Sequence, residues 1–263
     1  MQPVATLLDL NGKIAVVTGA GKGIGQAIAE RLAEAGAYVV VTDVDNEACQ
    51  STVGSIHEHG WKAEAMRLDV TDQSNVFDVI RSVNDSHGSI DIVVNDAGIY
   101  PSKPISEMTT EQLRAVLDVN LIGAFQVLKE SAAVMRASGK GGKIINVTSI
   151  DALHPSMVGL AHYDASKHGL WGLTKNAALE YAQDNIQINA VAPGGVLTPG
   201  VAAMQGEPSE SSADDSAAFL KSIPLGRMGN PDEIATVVLF LASPMSSYMV
   251  GSQIVVDGGR LLR

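Results

Sequence analysis

The chain has 263 residues, 46% of them hydrophobic, enough to bury the core of one α/β domain. Its 18 Lys and Arg against 29 Asp and Glu leave a net charge of -11 with no basic run, which argues against a nucleic-acid backbone or an anionic membrane as partner. The single cysteine, Cys49, excludes an intrachain disulfide and fits a reduced cytoplasmic setting, the scattered His offer no zinc-ligand cluster, and the longest apolar run, near Ile234 to Ala242, is far too short to span a membrane.

Lys13 to Thr18 is a run of β-branched and small apolar residues, read as a buried parallel strand. It leads into Gly19-Ala20-Gly21-Lys22-Gly23-Ile24-Gly25 and then a helical pattern, Gln26 to Ala35, stopped by Gly36. Glycines at a strand-to-helix turn let backbone N–H groups approach a pyrophosphate where the helix dipole favours negative charge. Asp43 ends the next strand, Tyr38 to Thr42, about 20 residues beyond the loop, the place from which a carboxylate accepts hydrogen bonds from an adenosine ribose. A Rossmann-type, doubly wound parallel sheet follows from this alternation.

The alternation continues through a helix over Glu47 to His59, a strand over Ala63 to Leu68, a helix over Asn75 to Ser86 and a strand over Asp91 to Val94. Asp69 and Val70 fall at the C-terminal end of the third strand, the edge where such sheets bind ligands; Asp69 could equally cap a loop. Thr109 and Gln112 form a capping-box signature for a helix whose apolar stretch, Leu117 to Leu128, carries Asn120. Asn is a poor mid-helix residue, and its flanks Val119 and Leu121 predict that it is buried. Strands over Lys143 to Val147 and Ile186 to Val191 end in Thr148-Ser149 and in Pro193-Gly194-Gly195-Val196-Leu197-Thr198. The polar stretch Gln205 to Ser216 has the composition of a mobile lid, placed around residues 199–225. Asn230-Pro231-Asp232-Glu233 opens another helix, and Gln253 to Val256 closes the sheet. No composition shift marks a domain boundary, so residues 1–263 are expected to form a single domain.

Tyr163-x-x-x-Lys167 places a phenol and an ammonium on one helix face. A nearby Lys+ favours the phenolate, so the pair is expected to bring the Tyr163 pKa toward the working range of an acid/base.

Thr18-Gly19-x-x-x-Gly23-x-Gly25, Asn95-x-Ala97-Gly98, Asn120, Ser149, Tyr163-x-x-x-Lys167 and Pro193-Gly194 occur in the order and approximate spacing of the short-chain dehydrogenase/reductases, which the chain resembles over nearly its whole length. The resemblance implies a single Rossmann domain with a seven-stranded parallel sheet, usually a homotetramer. It gives Tyr163 as general acid/base, Lys167 as the group that lowers its pKa and binds the nicotinamide ribose, and Ser149 as the hydroxyl that orients the substrate oxygen. Asn120 resembles the residue that holds a proton-relay water. The stretch Asn95 to Gly98 resembles the adenosine-ribose contact, and Val196 and Thr198 the carboxamide contacts. The chain departs from the pattern at Asp96, which replaces a second Asn, and in one extra residue between Ser149 and Tyr163, placed in the loop with His154 and Pro155.

The expected activity is hydride exchange between NAD and a small polar secondary alcohol or ketone, such as a polyol or sugar acid. NADP is less favoured, because Asp43 would repel a 2′-phosphate and Val44 offers no compensating cation, while Lys22 could tolerate the phosphate. Within the family the alternatives are 3-oxoacyl-carrier-protein reduction and hydroxysteroid or cyclic-alcohol oxidation. Outside it stand a non-catalytic dinucleotide-binding module, which has no need of Ser149, Tyr163 and Lys167 together, and a methyltransferase, which would not use Tyr163-x-x-x-Lys167. His154, Met157 and His162 are candidate substrate contacts.

Overall fold

The structure is a computed structural model that describes residues 3–201 and 218–263. The proposed lid segment Gln205 to Ser216 lies outside the described residues. Seven strands form one sheet: β1 (Ile14–Thr18), β2 (Tyr38–Asp43), β3 (Lys62–Arg67), β4 (Ile92–Asn95), β5 (Gly142–Val147), β6 (Ile186–Pro193) and β7 (Gln253–Val256). Their order is β3-β2-β1-β4-β5-β6-β7, and every pairing is parallel. The helices described from end to end are α1 (Gly23–Glu34), α2 (Asn46–Glu58), α3 (Gln73–His87), α4 (Thr110–Leu117), α5 (Ala124–Ser138), α6 (Ala161–Tyr181) and α7 (Pro231–Ala242).

Because successive side chains of a strand point to opposite faces, the β-branched runs feed two cores at once. Val17, Val39 and Val41 pack with Ile28 and Leu32 of α1, Ile56 of α2 and Val238 and Leu241 of α7. Val16, Val40 and Val93 face the other way, onto Val76 and Ile80 of α3, Val127 and Leu128 of α5 and Ala177 of α6. Each fully buried Val, Leu or Ile contributes about 1.5–3 kcal/mol relative to exposure, so truncating Leu32 to Ala would cost about 2–5 kcal/mol. The strand order reverses between β1 and β4, and this opens a crevice at their C-terminal ends. Register brings Thr18 opposite both Thr42 and Asn95, and Asn95 opposite Asn146, so the ends of four strands meet there.

The expected elements are all present, with ends displaced by up to about three residues, as helix and strand ends commonly are. The larger differences are that α1 begins at Gly23, inside the glycine loop, and that β6 runs on to Pro193. At α4 the capping box forms as expected: Gln112 N–H donates to Thr109 Oγ1 at 3.3 Å, and Thr109 N–H to Gln112 Oε1 at 3.0 Å. The helix is not uniform, however. Asp118–Gly123 is a π-helical turn joining α4 to α5, and Asn120 sits in it. Gly123 explains the tight fit of this turn, since a Cβ there would lie 2.7 Å from Val70 Cγ2. At α7, Asn230 N–H donates to Glu233 Oε2 at 2.8 Å, closing the first turn. Among the described residues no helix is long and apolar enough to cross a membrane.

Candidate active site

The glycine loop leaves the buried β1, passes Gly19 with φ +67° and enters α1 at Gly23 with φ +64°. Both angles lie in the left-handed region that glycine adopts without strain. Gly19 lies against the end of β4, where a Cβ on it would come within 2.8 Å of Ala97 N and Cα. Thr18 Oγ1 accepts the N–H groups of Asp96 and Ala97, each at 3.2 Å, and so ties β1 to β4 across the crevice. The first-turn N–H groups of α1, including that of Ile24, have no partner within the helix and suit an anion cradle, while the Gly25 N–H meets the Asp96 carboxylate. A Cβ on Gly25 would fill it, 2.3 Å from Gly19 O.

Asp43 ends β2 beneath this loop. Its Oδ2 accepts the Gly21 N–H at 3.2 Å and its Oδ1 accepts the Asp45 N–H at 3.0 Å, so the carboxylate is held against the glycine loop. Lys22 is the exposed residue that precedes α1. Across the crevice Thr198 approaches the loop, with its Cβ 3.5 Å from a Cβ built on Gly23. Val196 is buried and bridged to Gly229; that bridge uses the Gly195 carbonyl and the Leu197 N–H, leaving the N–H and carbonyl of Val196 itself out of it. The residues present thus fit a dinucleotide laid along the crevice.

At three of the expected cofactor contacts the protein's own groups are already engaged. The Asn95 side chain is buried and donates to Asn146 Oδ1 at 2.8 Å, so it ties β4 to β5, while its own Oδ1 has no partner among the described residues. Asp69 caps its own turn, accepting Thr71 N–H at 3.0 Å and Thr71 Oγ1–H at 2.6 Å, and Val70 packs its side chain under Gly123. Gly194 donates its N–H to Val256 O at 2.9 Å and lies against Asp257, while Pro193 is the last paired residue of β6. These residues shape the floor of the crevice through backbone position.

At the neighbouring strand ends, Ser149 follows β5, and the first two turns of α6 carry Tyr163 and Lys167. Ser149 and Lys167 are buried. Lys167 Nζ donates to Val147 O at 2.9 Å and stands 5.6 Å from the centre of the Tyr163 ring. Asn120 is fully paired: Oδ1 accepts Ile99 N–H at 2.8 Å, while Nδ2 donates to Ile99 O at 2.9 Å and to Ser166 Oγ at 3.0 Å. Gly98 lies between these groups, since a Cβ on it would be 3.4 Å from Asn120 Oδ1 and 3.7 Å from Lys167 Nζ.

The electrostatics correct one expectation. The Tyr163 phenol is held above its ordinary pKa, first by burial and then by the negative charge of Asp151, with the Ser149 hydroxyl opposing. Lys167 does not reverse this; burial lowers its own pKa, and Asp96 partly offsets that. Burial also raises Asp96, whose carboxylate lies beside Gly25 at the start of α1, against the pull of Lys167. Of the candidate substrate contacts, His154 and Met157 are exposed on the loop before α6. His162 is fully buried; its Nδ1 accepts the Tyr163 N–H at 2.8 Å and its Nε2 has no partner among the described residues. Sequence reasoning did not single out Tyr100, whose ring meets Tyr163 edge-on at 5.9 Å, or Asp151. An aromatic two residues beyond Gly98 and an acid two beyond Ser149 were the available signals.

Comparison with known proteins agrees with this geometry. Residues 19–260 match a family model described as Enoyl-(Acyl carrier protein) reductase. A 3-oxoacyl-[acyl-carrier-protein] reductase from Thermotoga maritima is 38% identical over 97% of this chain and all of its own length. A galactitol 2-dehydrogenase from Agrobacterium fabrum is 37% identical over 96% of this chain and 98% of its own. A solved structure from Agrobacterium tumefaciens, described as a 2-deoxy-D-gluconate 3-dehydrogenase with bound NADP, superposes with a TM-score of 0.89 at 35% identity, covering 98% of this chain and 99% of that one. With the parallel sheet, the glycine cradle and the Ser149, Tyr163 and Lys167 cluster in place, the chain belongs to the short-chain dehydrogenase/reductases, a family of NAD(P)-dependent oxidoreductases.

Proposed function

We propose that the protein is an NAD-preferring dehydrogenase that interconverts a small polar secondary alcohol and its ketone, with Tyr163 as general acid/base. The observation that carries this is the convergence of the Ser149 hydroxyl, the Tyr163 phenol and the Lys167 ammonium at the strand ends beside the glycine cradle. A bound nicotinamide would supply the hydride acceptor or donor for the carbinol carbon, and the chain's own residues handle the proton. In oxidation Tyr163 Oη takes the hydroxyl proton as the carbonyl forms, and in reduction it returns that proton to the oxygen. The Ser149 hydroxyl, whose one proton is donated to Asp151 in the structure, redirects it to the same oxygen when substrate is bound, and the positive charge of Lys167 offsets the charge left on the phenolate. The π-turn at Asn120 interrupts the regular helix ladder at the site, a place where such turns often serve function, and fits a role in carrying the proton away from Lys167.

Preference for NAD is supported by the acid at the end of β2, since the Asp43 carboxylate beside the glycine loop would repel a 2′-phosphate. A small polar substrate is supported by the charge of -11 and by the four acids between Gln205 and Ser216, which would repel an acidic carrier protein. That segment also lacks large apolar residues to cover a hydrocarbon, whose burial is worth about 0.8 kcal/mol per CH₂. The test is Tyr163→Phe, assayed with NAD across alditols, aldonates, cyclic alcohols, hydroxysteroids and 3-hydroxyacyl thioesters. Turnover should fall at least about 100-fold while NADH still binds. Near-normal turnover in the folded variant would refute the role of Tyr163, and a kcat/KM for thioesters or steroids above that for every alditol and aldonate would refute the substrate class.

A further inference from the structure

The proton-transfer scheme leaves one polar group in the site without a task. Asp151 lies two residues after Ser149, in the single helical turn Ile150–Ala152. Its Oδ2 accepts the Ser149 hydroxyl proton at 2.9 Å, and its own N–H donates to Ser149 Oγ at 3.1 Å. The residue is half-buried, and its charge reaches both Tyr163 and Lys167.

Among the described residues no cation stands within ion-pair distance of Asp151. The charged and titratable groups around it are Ser149 within hydrogen-bond distance, Tyr163 and Lys167 within Coulomb range, Asp164 from α6, His154 from the loop that follows it and Arg260 near the C-terminus. Asp164 adds negative charge and is itself engaged, accepting the Ser156 N–H at 3.1 Å and its hydroxyl at 2.6 Å. A carboxylate offers about four lone-pair positions, and the Ser149 hydroxyl fills one of them. Acceptor capacity is therefore held next to the reacting oxygen, in a place where a second anion would be poorly tolerated.

We infer that Asp151 is a specificity-determining residue that receives a hydroxyl of a neutral polyol adjacent to the reacting carbinol and disfavours substrates carrying a carboxylate there. The inference rests on the dehydrogenase reading above and narrows its substrate class from sugar acids and polyols to polyols. A site built to bond a substrate hydroxyl rejects the analogue that lacks it, because its own polar group is left without a partner.

The test uses the full chain at saturating NAD with two matched pairs, D-glucitol against D-gluconate and cyclohexane-1,2-diol against cyclohexanol. The parent should favour the first member of each pair by at least about tenfold in kcat/KM. Asp151→Asn, which keeps the shape and removes the charge, should lower the glucitol-to-gluconate ratio at least about tenfold, and Asp151→Ala should do the same to the diol-to-monool ratio. Because Asp151 also holds Ser149, any loss common to all four substrates reports on Ser149 and cancels in the ratios. Ratios in the variants within about threefold of the parent's overturn the inference alone, as does a parent that prefers gluconate, a result that needs no variant to fold. No NAD-linked turnover of any of the four by the parent overturns the substrate reading and this inference together.

Discussion

Gly25→Ala tests the claim that the glycine loop and the start of α1 form a cradle with no room for a side chain. The added Cβ would lie 2.3 Å from Gly19 O, 2.7 Å from Asp96 Oδ2 and 2.8 Å from Gly19 C. Ordinary contact begins at 3.4 Å, so relief requires a shift of 3.4 − 2.3, about 1.1 Å. Gly19 cannot move away freely, since it already lies against the Ala97 backbone. The helix start must therefore move, and its N–H donors move with it. Overpacking of this kind costs about 1–3 kcal/mol of stability. Losing one hydrogen bond to a charged phosphate costs about 1.5–3 kcal/mol, which is about 10- to 150-fold in Kd. The assay is titration with NADH, followed by its fluorescence, alongside thermal unfolding. Gly54→Ala in α2 is the control, because a Cβ there meets nothing within 4 Å. It should leave the NADH Kd unchanged and raise stability by up to about 1 kcal/mol. An NADH Kd for Gly25→Ala within about threefold of the parent would show that the loop is not the tight cradle described.

Asp43→Ser removes the carboxylate held under Gly21 and should lower the NAD-to-NADP ratio of kcat/KM at least about tenfold. A parent that already prefers NADP would refute the role given to Asp43. Burial and the Asp151 anion both raise the Tyr163 pKa, and the anion does so by disfavouring the phenolate. Removing that charge in Asp151→Asn should therefore lower the Tyr163 pKa. The rising limb of kcat/KM for cyclohexanol oxidation, which needs the phenolate, then moves to lower pH. The falling limb for cyclohexanone reduction, which needs the protonated phenol, moves the same way. A limb that stays in place or moves to higher pH contradicts the assigned cause.

What the sequence determined by itself is what depends on near neighbours along the chain. The apolar run Lys13 to Thr18 announced a buried parallel strand, because only strands covered on both faces can be continuously apolar. The glycine loop before a helical pattern, the Thr109 and Gln112 cap and the Asn230 start were legible for the same reason, since each is a bond or a φ angle within a few residues. Asn120 could be read as buried, yet its π-turn could not, because that depends on Val70 packing against Gly123 from another element. Only the tertiary structure turned Asn95 inward to Asn146, set Asp96 beside Gly25 and placed Tyr100 against Tyr163. Asp151 shows the limit most sharply: its bond to Ser149 is local, but the charge it imposes on Tyr163 arises because β5 and α6 meet at one sheet edge. Periodicity and propensity encode which face a residue occupies, whereas the direction of a polar side chain at a sheet edge is fixed by groups distant in sequence that the fold brings within hydrogen-bonding and Coulomb range.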